Sequence, residues 1–379
     1  MYVTGTGKTK YGITASSMQE MAYEAMQKAL DDASMSIDEI NAIYVSNFLG
    51  GPLKSQLHFN SVVSSLIPKS KIPIIRVETA CASGGSAVYS ALMSLSRFRN
   101  VMVLGIEKMS GLDSGDTAKS IAMAGDRELD QSEGLIFPAS YALIAQQHMQ
   151  RYGTSEDDLA KVSLKNHSNA NLNPLAHFYS KKVDMDMIKK SPVVSSPLRL
   201  FDCSPISDGS AAVILTKKRR KERDIKIIAS ELATDCISLA ERKELTTFSS
   251  ARTAAANAYK SARILPKDID IAQVHDCFTI AELVAMEDLG FSKKGRSKDL
   301  VRIGATELSG TLPINTDGGL KAGGHPIGAT GVSQICELVT QLRSEAGARQ
   351  VDKAKIGLAH NIGGVGGTAS VHILHGGKR

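Results

Sequence analysis

A chain of 379 residues is long enough for two or more hydrophobic cores of ordinary size. Hydrophobic residues make up 42% and charged residues 22%, a balance that is typical of a globular protein and excludes a disordered one. No stretch approaches the roughly 20 apolar residues that span a bilayer, and the N-terminus has no apolar segment of the kind that directs secretion. We therefore expect a cytoplasmic protein that makes no membrane contact.

The formal net charge of +6 is compatible with a nucleic-acid partner. The basic residues are scattered, however, and the sequence holds no Trp and only nine Tyr and nine Phe. The one dense basic run, residues 217–221, is either a solvated linker or a weak attraction for a phosphate-bearing ligand. Both interpretations of the run stay open, and we expect no nucleic-acid partner.

The five cysteines, at positions 81, 203, 236, 277 and 336, show neither C-x-x-C pairing nor the spacing of metal ligands. Their odd number also disfavours a disulfide framework, so we expect reduced thiols and no metal site. Each cysteine is then either a small buried apolar residue or a nucleophile.

The first predicted elements recur later in the chain. Residues 22–47 have the pattern of an amphipathic helix, a short capped turn and a strand, and residues 255–276 repeat that order. Val45 corresponds to Val274, an offset of 229 residues. A repeat of this length indicates two related α/β halves.

A second repeated strand has a smaller offset. Gly209 corresponds to Gly367, which is 158 residues later, so the first half holds 229 − 158 = 71 more residues than the second. The polar segment 112–190 is the natural place for the surplus, and we expect an inserted loop domain there. The predicted N-terminal half is 1–217, with this insertion, and the C-terminal half is 218–379.

A third repeat carries candidate chemistry. Residues 81–92 parallel residues 325–336, and in both segments a glycine-containing turn leads into an apolar helix. Cys81 and His325 should therefore lie near each other at the interface between the halves. A thiol at a helix N-terminus is expected to ionise more readily, and a neutral imidazole can accept its proton.

Two further segments complete the candidate site. His275 and Cys277 lie at the end of a predicted strand, where alternation puts both side chains on one face. The glycine-rich run that follows His360 can direct backbone N–H groups at a ligand oxygen. It lacks the strand-then-helix order of a dinucleotide-binding loop, which disfavours an NAD site.

Taken together, these segments resemble the thiolase superfamily over essentially the full chain. The matching motifs are ACASGG around Cys81, HDCF at 275–278, GHP at 324–326 and NIGG at 361–364. The resemblance implies the thiolase fold, an α/β architecture in which two pseudo-symmetric α/β halves form a five-layered αβαβα core.

Within the superfamily, HDCF is similar to the archaeal and sterol-carrier-protein-type acetyl-CoA acetyltransferases. Other thiolases have NEAF there and a cysteine in the fourth motif, at the position of Asn361 in this chain. The resemblance therefore implies that Cys277 is the second acid/base. Asn361 is expected to matter little, because its amide cannot exchange a proton at neutral pH.

The implied reaction is the reversible Claisen condensation of two acetyl-CoA to acetoacetyl-CoA and CoA, through an acetylated Cys81. In the implied roles, His325 deprotonates Cys81, and His275 and His325 bind the oxygen of the reacting thioester. The N–H groups of Cys81 and Gly363 bind the acyl-enzyme carbonyl, and Ser204 contacts the pantetheine. No cofactor is implied, since the coenzyme A thioesters are substrates.

The resemblance also implies a homodimer or homotetramer, and partners of two kinds: an OB-fold/zinc-ribbon protein and a hydroxymethylglutaryl-CoA synthase. Two alternatives for the function remain. One is another condensing enzyme of the superfamily, of ketosynthase or hydroxymethylglutaryl-CoA synthase type. The other is a catalytically silent scaffold with a thiolase-like fold.

Overall fold

Helices and strands alternate along most of the chain, and the computed structural model describes residues 1–376. The α-helices are α1 (Met18–Ala33), α2 (Gly50–Lys54), α3 (Phe59–Ser64), α4 (Ser83–Ser94), α5 (Ser114–Ala122), α6 (Phe137–Tyr152), α7 (Glu156–Ala170), α8 (Met185–Lys190), α9 (Ser249–Ala262), α10 (Thr279–Asp288), α11 (Ser297–Arg302), α12 (Gly319–Gly323) and α13 (Ile327–Leu342). The strands are β1 (Tyr2–Lys8), β2 (Ala42–Ser46), β3 (Ile74–Val77), β4 (Asn100–Glu107), β5 (Val193–Ser195), β6 (Leu198–Arg199), β7 (Gly209–Thr216), β8 (Ile225–Thr234), β9 (Ile271–Gln273), β10 (Ile356–Gly363) and β11 (Thr368–His375).

The main sheet contains two strand sets with the same pairing. The strand order is β3-β2-β4-β7-β1 followed by β8-β11-β10-β9, and a short antiparallel contact between β1 and β8 joins the sets. In the first set β2 is parallel to β4, which is antiparallel to β7. In the second set β9 is parallel to β10, which is antiparallel to β11. The two sets therefore repeat one topology.

The bounds of the helices show the same repeat. Helix α1 ends at Ala33 and α9 ends at Ala262, which are 229 residues apart, and in both cases the next residue has a left-handed conformation. The single-turn helices Ile37–Glu39 and Pro266–Asp268 that follow are also 229 residues apart.

Helix α1 illustrates why these segments fold as they do. Its buried residues recur with the three- and four-residue spacing of a helical face. Ser17 and Glu20 form a reciprocal capping box at its start, which satisfies N–H groups that lack partners within the helix. The helix packs this apolar face against β1 and β7.

The elements stack in five layers. Helices α4 and α13 pack on each other in the middle, and each of them contacts strands of both sets. Helix α1 covers the outer face of the first set, and α9 covers β8 and β11 of the second. The five-layered αβαβα order expected from the sequence is therefore confirmed.

The long connection between β4 and β7 is largely helical. It contains α5, α6, α7 and α8, together with the small hairpin of β5 and β6. Helix α7 buries ten of its fifteen residues, so this part of the segment is a packed layer and not a surface loop. In the part of the chain that the structure describes, no helix is long and apolar enough to cross a membrane.

Candidate active site

The candidate nucleophile lies in a tight turn between β3 and α4. Ala80, just before Cys81, has a φ of 51°, which is a strained conformation for a residue with a side chain and is typical of functional turns. Gly363 at the end of β10 lies against this turn, since a Cβ atom there would be 2.3 Å from the carbonyl oxygen of Thr79. Glycine at position 363 thus lets the two halves approach closely.

Three predicted catalytic side chains converge at the junction of the halves. The sulfur of Cys81 and one ring nitrogen each of His275 and His325 lie within 4.8 Å of one another, and all three residues are buried. The two imidazole rings are nearly perpendicular, with their centroids 5.1 Å apart. Residues from before α4, after β9 and before α13 therefore form one site.

The hydrogen bonds of His325 determine where its proton lies. Its Nδ1 is 2.7 Å from the hydroxyl oxygen of Thr330. That hydroxyl donates its one proton to the carbonyl oxygen of Pro326, at 3.0 Å. The Thr330 oxygen must therefore accept from Nδ1–H, so Nε2 of His325 is the unprotonated nitrogen that can serve as a base.

His275 is fully buried, and its environment differs. Its Nε2 has no hydrogen-bond partner within the described residues, while its Nδ1 lies 3.0 Å from the side-chain nitrogen of Asn361. Burial, together with the neighbouring His325 and His360, holds the pKa of His275 well below its ordinary value. Burial also lowers the pKa of His325 to about 3, so both rings are neutral at physiological pH.

The expected effect of the helix N-terminus on Cys81 is outweighed by burial. Burial raises the pKa of the Cys81 thiol to about 12, and the negative charge of Glu107 adds to the increase. Hydrogen bonds from the N–H groups of Gly364 and Cys81 itself act in the opposite direction but are weaker. The prediction of a resting thiolate is therefore wrong, because desolvation of the charge costs more than these N–H groups return.

Cys277 is also buried and protonated. Burial raises its pKa well above the ordinary value, and the hydroxyl of Tyr141 partly offsets the effect by a hydrogen bond. The ring of Tyr141 stacks on Phe278 at 4.6 Å, and its hydroxyl donates to the carbonyl oxygen of Gly364 at 3.2 Å. A residue of α6, within the inserted segment, thus holds both the HDCF and NIGG segments.

The two remaining predicted residues lie beside this group. The backbone N–H of Ser204 donates to the carbonyl oxygen of Cys277 at 2.9 Å, so Ser204 borders the site. Of the two glycines in NIGG, it is Gly364 whose N–H contacts the sulfur of Cys81, whereas Gly363 provides the close approach. Gly364 has a φ of 60°, and the second glycine of the motif was the available signal for it.

Buried carboxylates that the sequence analysis missed hold the catalytic segments together. Glu107 at the end of β4 accepts from the N–H groups of Phe48, Leu49 and Gly328, and the last of these is in the first turn of α13. Asp276 accepts from the N–H groups of Leu320 and Lys321 in α12. These bonds fix the segments that carry Cys81, His275 and His325 relative to one another.

The basic run 217–221 lies away from the site. It follows the last residue of β7, Thr216, whereas the catalytic end of that sheet is at Glu107 and Gly209. Arg220 pairs with Glu39, and Lys221 bonds Ser34 beyond the end of α1. Its position and these contacts favour the solvated linker over a coenzyme A contact.

A sheet-and-helix core with a buried cysteine and two histidines at the junction of two repeated halves defines an acyl-transferring condensing enzyme in form. Family models agree: residues 1–219 match "Thiolase, N-terminal domain" and residues 232–376 match "Thiolase C-terminal domain-like". The chain belongs to the thiolase family.

Individual relatives are similar over nearly the full length. The chain is 44% identical to the acetyl-CoA acetyltransferase of Methanothermobacter thermautotrophicus and 39% identical to that of Methanocaldococcus jannaschii, each match covering 98% of both chains. Among solved structures, a chain of the "Ltp2-ChsH2(DUF35) aldolase" has the same fold with a TM-score of 0.85 and 23% identity, covering 99% of this chain and 97% of that one.

Proposed function

We propose that this protein is an acetyl-CoA C-acetyltransferase that catalyses the reversible condensation of two acetyl-CoA to acetoacetyl-CoA and CoA. The observation that carries the proposal is the convergence of Cys81, His275 and His325 within 4.8 Å, with the free nitrogen of His325 available to the thiol. The full-length similarity to archaeal proteins named acetyl-CoA acetyltransferase supports the choice of substrate.

In the first half-reaction, Nε2 of His325 accepts the proton of the Cys81 thiol while the sulfur attacks the thioester carbonyl of acetyl-CoA. The new C–S bond forms, the bond to the coenzyme A sulfur breaks, and the proton passes to the departing thiolate. Because the pKa of Cys81 is about 12 and that of His325 about 3, proton transfer must accompany the attack. The N–H groups of Cys81 and Gly364 are the donors for the resulting oxyanion, with Gly363 allowing their approach.

In the second half-reaction, Cys277 takes a proton from the α-carbon of a second acetyl-CoA. The carbon attacks the acetyl group on Cys81, a C–C bond forms, and the Cys81 sulfur leaves. Nε2–H of His275 donates to the thioester oxygen, on which the enolate charge develops. Thiolysis uses the same steps in reverse, and the neutral Cys277 thiol is then the acid that protonates the enolate.

The test has two parts. The purified protein is incubated with acetyl-CoA and its peptides are weighed, and acetoacetyl-CoA cleavage by CoA is followed in a coupled assay in both directions. We expect one added acetyl group on the peptide with Cys81 and turnover both ways, both lost in Cys81→Ala. An acetyl group found only on Cys203, Cys236 or Cys336 would contradict the assignment.

The alternatives give other results. A catalytically silent scaffold would take up no acetyl group. A condensing enzyme of ketosynthase or hydroxymethylglutaryl-CoA synthase type would become acetylated but would not cleave acetoacetyl-CoA with CoA. No cofactor is proposed, and Ser204, next to Cys277, is the proposed pantetheine contact.

We further propose a cytoplasmic homo-oligomer, either a dimer or a tetramer. Strand β3 lies at the edge of the sheet, and its Ile75 is 44% exposed. An apolar edge strand is a template for pairing with a second copy. The proposed partners, an OB-fold/zinc-ribbon protein and a hydroxymethylglutaryl-CoA synthase, rest on family resemblance, and the first is also supported by the DUF35 component named for the aldolase.

A further inference from the structure

The side chain of Asn361 connects both halves of the molecule at the site. Its Oδ1 accepts a hydrogen bond from the backbone N–H of Gly85 at 3.2 Å. Its Nδ2 donates to the carbonyl oxygen of Cys81 at 2.9 Å and lies 3.0 Å from Nδ1 of His275. Asn361 is 1% exposed, so water does not compete with these bonds.

The orientation of the Asn361 amide follows from the chemistry of its neighbours. The N–H of Gly85 can only donate, so it must face the amide oxygen, and the carbonyl of Cys81 can only accept, so it must face the amide nitrogen. The amide nitrogen is a donor and not an acceptor. Nδ1 of His275 must therefore accept from it, and the proton of this neutral imidazole is on Nε2.

The same reasoning gives the opposite result for the second ring. Thr330 requires the proton of His325 on Nδ1, which leaves its Nε2 as an acceptor. The site therefore presents one imidazole donor, Nε2–H of His275, and one imidazole acceptor, Nε2 of His325. A base for the thiol and a donor for an oxyanion are both present before substrate binds.

We propose that Asn361 is the positioning residue that holds His275 in the Nε2–H tautomer and aims that donor at the developing oxyanion. The inference rests on the proposed thiolase reaction and adds a role that no catalytic motif of the sequence suggested. Asn361 also satisfies a first-turn N–H of α4, the helix that follows Cys81, so the same side chain fixes the nucleophile turn.

This role changes what is expected of substitutions at position 361. The sequence alone predicted a mild effect of Asn361→Ala, because the amide exchanges no proton. Its contacts now predict that the loss acts through His275. The sharper variant is Asn361→Asp, which has nearly the same shape and can still accept from Gly85 but cannot donate to Nδ1. The carboxylate instead attracts a proton onto Nδ1 of His275 and leaves Nε2 without one.

The experiment combines spectroscopy with kinetics on the full-length protein. The histidine rings are labelled with ¹⁵N, and the signals of His275 and His325 are assigned from their disappearance in His275→Asn and His325→Asn. Turnover is measured for the wild type, for Asn361→Asp and for Ser370→Ala. Ser370 is the matched control because it pairs with Asn361 across β10 and β11, is buried, and its hydroxyl makes no hydrogen bond within the described residues.

We expect wild-type His275 to be protonated at Nε2 and His325 at Nδ1, and Asn361→Asp to move the His275 proton to Nδ1. The kcat of thiolysis should then fall by about 10²–10³, the effect of one lost oxyanion donor, with a much smaller change in KM. Ser370→Ala should keep the wild-type tautomer and kcat.

Two results would overturn the proposal: a wild-type His275 protonated at Nδ1, or an Asn361→Asp protein with an altered tautomer and an unchanged kcat. The wild-type spectrum needs no activity and no folded variant. If the wild type cleaved no acetoacetyl-CoA, the proposed function would fail, while the spectrum would still decide the tautomer.

Discussion

Burial controls the protonation of the reactive side chains in this site. The pKa values of Cys81 and Cys277 are raised and those of His275 and His325 are lowered, in each case mainly by desolvation. The resting site therefore holds neutral thiols and neutral imidazoles. Charge appears only when substrate is bound, and the N–H donors around Cys81 are in place to stabilise it.

The clearest prediction for a single residue concerns Cys277. Cys277→Ala should still accept an acetyl group on Cys81, because that step needs only Cys81 and His325. Condensation and thiolysis should fall by about 10²–10⁴, the range for loss of an acid/base residue. The acetyl adduct is measured by mass spectrometry and turnover by the coupled assay.

Cys203→Ala is the matched control for Cys277→Ala. Cys203 forms a backbone bridge to Phe278, next to Cys277, but its own thiol lies on the carbonyl oxygen of Arg199. Turnover should be unchanged in this variant. Near-normal turnover in Cys277→Ala would exclude Cys277 as the acid/base.

At the scale of whole elements, the contact between α4 and α13 depends on glycine. A Cβ atom at Gly331 of α13 would lie 2.2 Å from the backbone nitrogen of Gly85 in α4 and 2.4 Å from Oδ1 of Asn361. Neither backbone nor a buried amide with three hydrogen bonds can move away easily. The two central helices, which carry Cys81 and His325 at their starts, are therefore held at the closest separation that glycine permits.

Gly331→Ala should therefore damage both stability and activity. We expect a loss of about 1–3 kcal/mol in the free energy of unfolding, as for overpacked cores, together with a lower kcat because Asn361 is displaced. Urea denaturation and the thiolysis assay measure the two effects. Gly115→Ala in α5 is the control, since a Cβ there meets only the flexible side chain of Asp113. A wild-type kcat in Gly331→Ala would show that the helix contact does not position the site.

The repeated elements were predictable because they depend on local patterns. The periodicity of α1, its capping residues and its 229-residue echo in α9 are all visible in the sequence, and the same repeat placed Cys81 and His325 at equivalent helix starts. The motifs HDCF and GHP then identified the remaining catalytic side chains, of which His275 joins this group.

The supporting residues were not predictable, because they act over long separations in sequence. Glu107 bonds a residue 221 positions away, Tyr141 one 223 positions away, and Asn361 one 276 positions away. Their residue types do not show which partners they will find. The proton positions on the histidines depend on such partners, and the raised thiol pKa values depend on burial, so neither could be obtained from local sequence.

For the molecule as a whole, stability should depend strongly on pH through its buried histidines. Burial lowers the pKa of His167, His325 and His360 to about 3 and that of His372 to about 4, from an ordinary 6.5, and lowers that of His275 further. Three carboxyl groups shift the other way: burial raises the pKa of Glu107 and Asp276 to about 7 and that of Asp288 to about 6.

These two sets have opposite effects, and the histidines prevail in acid. Between pH 6.5 and about 3 the unfolded chain binds protons on five histidines that the folded protein keeps neutral, so unfolding is favoured as the pH falls. The carboxyl groups stabilise the fold below about pH 7, but only three of them do so. The free energy of unfolding should therefore decrease from pH 7 to pH 5, which urea denaturation at each pH measures.

His360→Leu isolates one of these contributions. Both ring nitrogens of His360 are buried without a hydrogen-bond partner within the described residues, so leucine loses no bond there and cannot take up a proton in the unfolded chain. For a pKa that moves from 6.5 to about 3, protonation of the unfolded chain costs about 2 kcal/mol between pH 8 and pH 5. We expect the difference in unfolding free energy between these two pH values to shrink by about that amount in the variant. An unchanged difference would mean that His360 is protonated in the folded protein or shielded in the unfolded one, and the acid sensitivity would then have to come from the other histidines.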